Sequence, residues 1–318
     1  MVNNEAISTK AKLLRIFRDL SGKKISGSSL ASELGVSRVS IWKAVHELST
    51  MGYCIQADKN GYTYTAQRED FLLPVEFGEL EQLITYTDIT SSTMDVAQHY
   101  ALKGASSGSI FIAEEQTAGR GRKNRAWISR RGNLLFTLLI RPQKPLAVYY
   151  ECTLAAQLAL ADVIQNACSA LAVRIKWPND VLIGNKKIAG ILAEGMIQGD
   201  EFSWITIGVG VNIKSKINTI DAVCLSDVCH TVPQRAFFLK QFVVKFNEIM
   251  HSSTLRTHYE KQYALWKTNP LCSVRLSDGT VKKGEILKID NYGQLYFCPL
   301  EQQGTTMVVS PADASLEV

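Results

Sequence analysis

The sequence predicts a multidomain α+β protein: an N-terminal winged helix-turn-helix, a central α/β domain with a mixed sheet, and a small C-terminal β-barrel. Three observations carry this reading. Short amphipathic helices separated by a glycine turn open the chain. Apolar strand-length runs alternate with long helical stretches from Ile84 onward, and short strands with Ser-Asp-Gly and Asn-Tyr-Gly turns follow Asn269-Pro270. The expected boundaries are 1–66 for the winged domain, 67–78 for a linker, 79–268 for the α/β domain and 269–318 for the barrel.

In the first domain, residues 7–20 place Leu13, Ile16, Phe17 and Leu20 on one helical stripe. A second short helix is expected at Ser28–Leu34, stopped by Gly35. Ser37 is the N-cap of a third, whose Ile41, Val45 and Leu48 recur at i, i+4 and i+7. Two alternating strands around Asn60-Gly61 form a hairpin, the wing. The docking face would be Ser37, Arg38, Ser40, Trp42 and Lys43, able to reach phosphates and base edges. A small helical protein-interaction module is the alternative.

Arg68–Val75, ending in Leu-Leu-Pro-Val, reads as linker. Strands follow at Ser109–Ala113, Asn133–Ile140, Val173–Lys176, Val181–Ile183, Lys187–Glu194 and Trp204–Ile213, with a buried helix over 149–170. The barrel strands are expected at Ser273–Leu276, Thr280–Ile289, Gln294–Pro299 and Thr306–Ser310.

Composition sets limits. The 318 residues are 46% hydrophobic and 20% charged, as in a soluble globular protein. The longest apolar tract, Thr153 to Ile175, is broken by Gln157, Asp162, Gln165, Asn166 and Arg174, which excludes a membrane span. Met-Val-Asn-Asn-Glu is no signal peptide, and seven scattered cysteines fit free thiols in a reducing cytoplasm. The net charge of +5 is mild, and residues 1–70 carry ten Lys/Arg against seven Asp/Glu. Ala118–Gly132, by contrast, holds Arg120, Arg122, Lys123, Arg125, Arg130 and Arg131 with no acid, which suggests a phosphate-bearing ligand.

Within that stretch, Gln116-Thr-Ala-Gly119-Arg120-Gly121-Arg122-Lys123 sets glycines between cations, so backbone can approach a ligand while guanidinium groups wrap its anionic part. Later comes Arg174-Ile-Lys176-Trp177-Pro178-Asn179-Asp180, a lysine fixed before a Trp-Pro turn. Together these two elements resemble the biotin protein ligase family, and the N-terminus extends the likeness to its DNA-binding, repressor-type members. The likeness covers nearly the whole chain and is densest between Ser92 and Asn212.

The resemblance implies a biotin-ligase catalytic domain, an SH3-like barrel and a two-step reaction. Biotin and Mg²⁺-ATP give biotinyl-5'-AMP, and the biotinyl group then passes to a lysine of a biotin carboxyl carrier protein. It also implies that the adenylate acts as corepressor, promoting a homodimer that binds operator DNA. Ser92-Thr93-Met94 is similar to the family's Ser-Thr-Asn at biotin, with Met94 in place of Asn; alone, such a triplet is usually an N-cap. Gln116, Arg120, Gly121, Arg122 and Gly190 would complete the biotin pocket with Lys176, the main catalytic charge beside Arg120. Gly119, Arg120, Arg122, Asn179, Asp180 and Asn212 would hold the nucleotide, with Asp180 towards Mg²⁺. Lys123 and Asn124 depart from the family's Gly-Arg-Gly-Arg-Arg-Gly. The alternative for the strands with Gly190 and with Gly208-Val-Gly210-Val-Asn212 is that they are simply core strands favouring small residues. Lys214–Val228 would be a loop over the nucleotide.

A non-catalytic biotin-sensing transcription factor and a lipoate-type ligase are the rival readings. Gly104-Ala-Ser106-Ser-Gly108 matches a hydrolase elbow by chance. Cys224, Cys229 and His230 lack a second pair at zinc spacing.

Overall fold

The computed structural model describes residues 8–20, 22–65, 70–142, 148–169, 171–214, 221–252, 255–258, 260, 271–302 and 304–317. Residues 1–5, 67–69, 215–220 and 269–270, named above, and the Asn124 side chain lie outside them. The chain divides into two compact units, ending at Tyr86 and beginning at Thr87.

In the first unit α1 (Thr9–Asp19), α2 (Gly27–Leu34) and α3 (Arg38–Thr50) are each opened by a serine, Ser8, Ser26 and Ser37, whose side chain accepts a first-turn N–H. Gly35, at φ 64°, turns the chain from α2 into α3. Leu13, Leu14, Phe17, Leu30, Ile41, Val45 and Leu48 bury one stripe from each helix. The wing is β1 (Ile55–Asp58) and β2 (Gly61–Tyr64), and Asp58 pairs with Gly61. The turn is therefore Lys59-Asn60, one residue earlier than expected, because the Asp58 side chain accepts the Asn60 N–H at 2.8 Å. The residues read as linker differ more. Pro74–Leu83 forms 3₁₀ turns, and Leu72, Val75, Glu76 and Phe77 are buried. Glu76 receives Arg18 at 2.9 and 3.0 Å and the Tyr53 hydroxyl, so this segment belongs to the helical core.

The second unit holds most of β3 (Ile84–Thr90), together with α4 (Thr93–Leu102), β4 (Ile110–Gln116), β5 (Leu134–Ile140), α5 (Val148–Ala167), β6 (Val173–Lys176), β7 (Asp180–Ile183), β8 (Lys186–Gln198) and β9 (Glu201–Val211). The sheet order is β3-β4-β5-β9-β8-β7-β6, antiparallel from β4 to β6. α6 (Leu225–Val228), α7 (Arg235–Met250) and α8 (Leu255–His258) follow. Neighbouring residues of β5 point to opposite faces: Thr137 meets Thr93 of α4, while Phe136 packs edge-on against Phe242 of α7. α4 thus covers one face, and α7, packed on α5, the other.

A five-stranded antiparallel sheet completes the fold, with β10 (Leu271–Leu276), β11 (Val281–Ile289), β12 (Leu295–Pro299), β13 (Met307–Val309) and β14 (Ala314–Glu317) in the order β13-β12-β11-β10-β14. It fits the expected SH3-like architecture around Val274, Ile286, Leu295, Phe297 and Leu316. β14 and α7 escaped the sequence reading. The thiols are corrected too: Cys168 and Cys229 are joined as a disulfide, their Cα atoms 5.6 Å apart. Sixty-one residues separate them, so their meeting follows from the packing of the α5 end and the segment after α6, not from spacing.

Candidate active site and nucleic-acid interface

A cavity of about 220 Å³ opens where the ends of β4, β6 and β7 meet the middle of β8 and β9, roofed by the Gly-Arg segment and edged by β14. Its floor is polar. Ser92 caps α4 by accepting the Met94 N–H at 3.2 Å, so the N-cap reading of the triplet holds and the residue also lines the cavity. Gln116, at the end of β4, accepts from Thr93 N and Oγ1 at 2.8 and 3.0 Å and donates to Ser129 Oγ at 2.7 Å. Its amide is fixed in orientation, and much of its hydrogen-bonding capacity is spent inside the protein.

The Gly-Arg segment is a small hairpin. Arg120 bridges Ala126, Gly121 N donates to Arg125 O at 2.7 Å, and Trp127 N donates to Gly119 O at 2.9 Å. Lys123 sits at its tip with φ 54°, the one positive φ outside glycine among the described residues. The hairpin folds Trp127 into the cavity, where the indole occupies the room that Gly190 and Gly210 leave. A Cβ on Gly190 would come within 2.9 Å of that ring. A Cβ on Gly208 would likewise meet Met94 Sδ at 2.7 Å. Gly190, Gly208 and Gly210 are therefore required by these two side chains.

The cations fall into two groups. Arg120 donates to Asp95 at 2.5 Å and to Glu194 at 3.4 Å; burial opposes its charge, but the two carboxylates hold its value above the ordinary one. Lys187 pairs with Asp180 at 2.6 Å, its ammonium 5.0 Å from the Trp127 ring centroid. Lys176, Arg122 and Arg125 make no ion pair among the described residues. Arg122 donates to Asn179 Oδ1 and to Ala314 O, both at 3.3 Å. Burial, and then the charge of Arg125, outweigh the pull of Asp180 and lower its guanidinium from the usual value.

Asn179 also donates to Ile191 O at 2.9 Å, locking the Lys176–Asp180 turn onto β8. Buried Trp177 donates to Gly293 O at 3.0 Å, which docks the β11–β12 turn beneath it. Of the residues expected here, Ser92, Thr93, Met94, Gln116, Arg120 and Gly121 line the cavity, as do Arg122, Lys176, Asn179, Asp180 and Gly190. Gly119 and Asn212 do not. A Cβ on Gly119, within the hairpin, would sit 2.5 Å from Ser129 Oγ, and buried Asn212 donates to Lys187 O at 3.4 Å.

The sequence reading missed Trp127, Lys187, Asp95, Glu194 and the β14 edge. Trp127 had a signal in its place directly after the basic run, and Lys187 in its motif. The carboxylates and β14 are brought in by long-range packing. Among the described residues no group of three or more His, Cys, Asp or Glu could hold a metal, and no helix is long and apolar enough to cross a membrane.

In the first unit, Arg38, Trp42 and Lys43 are exposed on α3. Ser37 Oγ accepts Ser40 N at 3.0 Å and lies 2.8 Å from Ser40 Oγ, so both hydroxyls serve the helix cap.

Comparison with known proteins separates the rival readings. A sequence model of the Biotin/lipoate A/B protein ligase family matches residues 86–212, and an HTH domain model matches residues 9–63. The chain is 31% identical over 271 residues to the Bifunctional ligase/repressor BirA of Bacillus subtilis, covering 83% of this chain and 81% of that protein. The same-named protein of Bacillus spizizenii is 30% identical, with 96% and 97% covered. Among solved structures, the biotin protein ligase from Aquifex aeolicus in complex with biotin and ATP superposes with a TM-score of 0.55 at 22% identity, over 74% of this chain and 98% of that one. That likeness establishes the fold of the larger unit. These matches set aside the non-catalytic sensor. The chain belongs to the biotin/lipoate protein ligase family, in its bifunctional ligase/repressor branch with an N-terminal helix-turn-helix.

Proposed function

We infer that the protein is an ATP-dependent biotin–protein ligase that also represses transcription through its helix-turn-helix. The observation that carries the ligase half is the cavity's charge: Lys176, Arg122 and Arg125 face it without an ion-pair partner among the described residues. Such a site suits a small ligand carrying several negative charges.

In the first step a carboxylate oxygen of biotin attacks the α-phosphorus of ATP, the bond to the bridging oxygen breaks, and pyrophosphate leaves with the electron pair. No protein nucleophile is needed. Lys176 stands at the end of β6 as a compact charge to offset the carboxylate and α-phosphate together, and the Arg122 fork to bind phosphate oxygens. Arg120, held by Asp95 and Glu194, orients the hairpin instead of facing phosphate directly. Trp127 and Met94 give the apolar wall for the fused rings of biotin. In the second step the amine of a carrier lysine attacks the acyl carbonyl, the bond to AMP breaks, and the amine's proton passes to solvent.

Mg²⁺ needs one or two carboxylates when phosphates and water supply the remaining oxygens. Asp180 alone fits that requirement and would hold the ion, which supplies charge neutralisation at the pyrophosphate. Biotinyl-5'-AMP would also be the corepressor. By ordering surface loops it would lower the entropy cost of homodimer formation, and the dimer would bind operator DNA. The setting is the cytoplasm, where ATP and carrier are present.

Incubating the protein with biotin, Mg²⁺ and α-labelled ATP without a carrier tests the chemistry. Retained biotinyl-adenylate is expected. Adenylate formed from lipoate and not from biotin would overturn the substrate, and none from either would overturn the enzyme.

A further inference from the structure

The face of α3 that points away from its own core is not a simple basic surface. Val39, Trp42, Lys43 and His46 stand at i, i+3, i+4 and i+7, opposite the buried stripe of Ile41, Val45 and Leu48. Two of these four are apolar and largely in water, Val39 at 62% and Trp42 at 57% exposure. The Trp42 ring is held flat against the imidazole of His46, centroids 5.6 Å apart and planes 8° from parallel. Ser28, Arg38, Val39 and Trp42 face Lys59 and Tyr62 of the wing across one shallow groove.

Charge identifies the occupant. Asp58, the one acid among the described residues that line the groove, pairs with Lys24, and Glu47, further along α3, pairs with Lys10 at 2.8 Å. Arg38, Lys43 and Lys59 make no ion pair among the described residues. A rim of uncompensated cations with neutralised acids fits a nucleic-acid backbone better than a protein partner. An electrostatic platform alone, however, has no use for an exposed tryptophan and valine. In the major groove the apolar group within reach of a recognition helix is the C5 methyl of thymine.

The hydrogen-bonding inventory points the same way. α3 contains neither Asn nor Gln, the side chains that pair bidentately with adenine. Its two serine hydroxyls at the leading end are engaged in the cap. Arg38, Lys43 and, further along, His46 remain for polar readout. We propose that Val39 and Trp42 read thymine methyl groups, so that α3 selects T·A pairs chiefly by apolar contact. This rests on the DNA-binding reading above.

The test uses the full chain with biotin and Mg²⁺-ATP. Duplexes are selected from a random pool, and each thymine of the selected site is then replaced by deoxyuridine, which removes only the methyl group. At one or two positions per recognition helix, the wild-type protein should bind about fourfold more weakly for each methyl lost. Trp42→Ala or Val39→Ser should abolish that penalty at its own position, while affinity for unrelated duplex at low salt stays within about twofold. Both substitutions alter exposed side chains, and the thermal midpoint checks that each variant is folded. Equal wild-type binding to thymine and deoxyuridine sites would overturn the proposal, as would an undiminished penalty in both variants. Selection of no duplex at all would overturn the DNA-binding reading itself, which distinguishes the two failures.

Discussion

The helical unit and the ligase unit distribute charge differently. Beside α3, Asp58 and Glu47 are spent on Lys24 and Lys10, and the cations Arg38, Lys43 and Lys59 are left in water. Around the cavity, Arg120 and Lys187 are compensated by carboxylates, and Lys176, Arg122 and Arg125 are not. The first pattern suits a long polyanion met in solvent, where each contact adds a little and salt removes it. The second suits a small enclosed ligand, where one well-placed charge in a partly dry site counts for much more.

The largest expected effect tests the second half of that contrast. Lys176→Ala should cut biotinyl-adenylate formation by roughly 10²–10³-fold, read from label retained on the protein, with little change in thermal midpoint. Wild-type turnover would remove Lys176 from the mechanism. Next comes the stability of the helical unit. Glu76→Ala strands the Arg18 guanidinium and the Tyr53 hydroxyl, whose own ionisation is pushed upward by burial and then by Glu76. With Arg18 partly exposed, the loss should be about 2 kcal/mol, seen by loss of the far-ultraviolet helical signal in urea, while adenylate formation is kept. Parallel loss of both would mean that the two units do not fold as separate cores.

Smaller still is the contribution of one rim cation. Lys59→Ala should weaken binding to all duplexes alike and reduce the slope of log K against log salt by about 0.9. A loss confined to one sequence would make Lys59 a base reader instead. The smallest concerns pH. Asp58 lies below the ordinary carboxylate range, first through the hydrogen bond from Lys24 and then through that from Asn60. A depressed carboxylate stabilises the fold above its unfolded value and loses that effect as pH falls through its folded value. Asp58→Asn should therefore lower the thermal midpoint slightly at neutral pH and not in acid, where the two proteins should converge.

Much of this was legible from local pattern. The cap serines, the period of Ile41, Val45 and Leu48, and the Gly-Arg and Lys-Trp-Pro-Asn-Asp runs are short-range signals, and the helices and the cavity floor follow them. What escaped depends on residues far apart in the chain. No periodicity shows that Asp95 and Glu194 close on Arg120, or that Cys168 meets Cys229. Leu72–Phe77 read as linker because Pro74 and Glu76 interrupt its short apolar run. Yet Glu76 enters the core through partners 23 and 58 residues away. Gly190, Gly208 and Gly210 were visible as small residues on strands, but that Trp127 and Met94 require them needed the fold.

The contact between Arg122 and Ala314 spans 192 residues. A ribosome adding about 5–20 residues per second would complete α1 to α3 and the Gly-Arg hairpin many seconds before β14 exists to edge the cavity. The order of synthesis thus separates the two activities in time: the helix-turn-helix can take shape on the nascent chain, whereas the ligand pocket acquires its β14 wall only after 192 residues have followed Arg122. A nascent or prematurely terminated chain would carry a DNA-reading head without a finished site to control it.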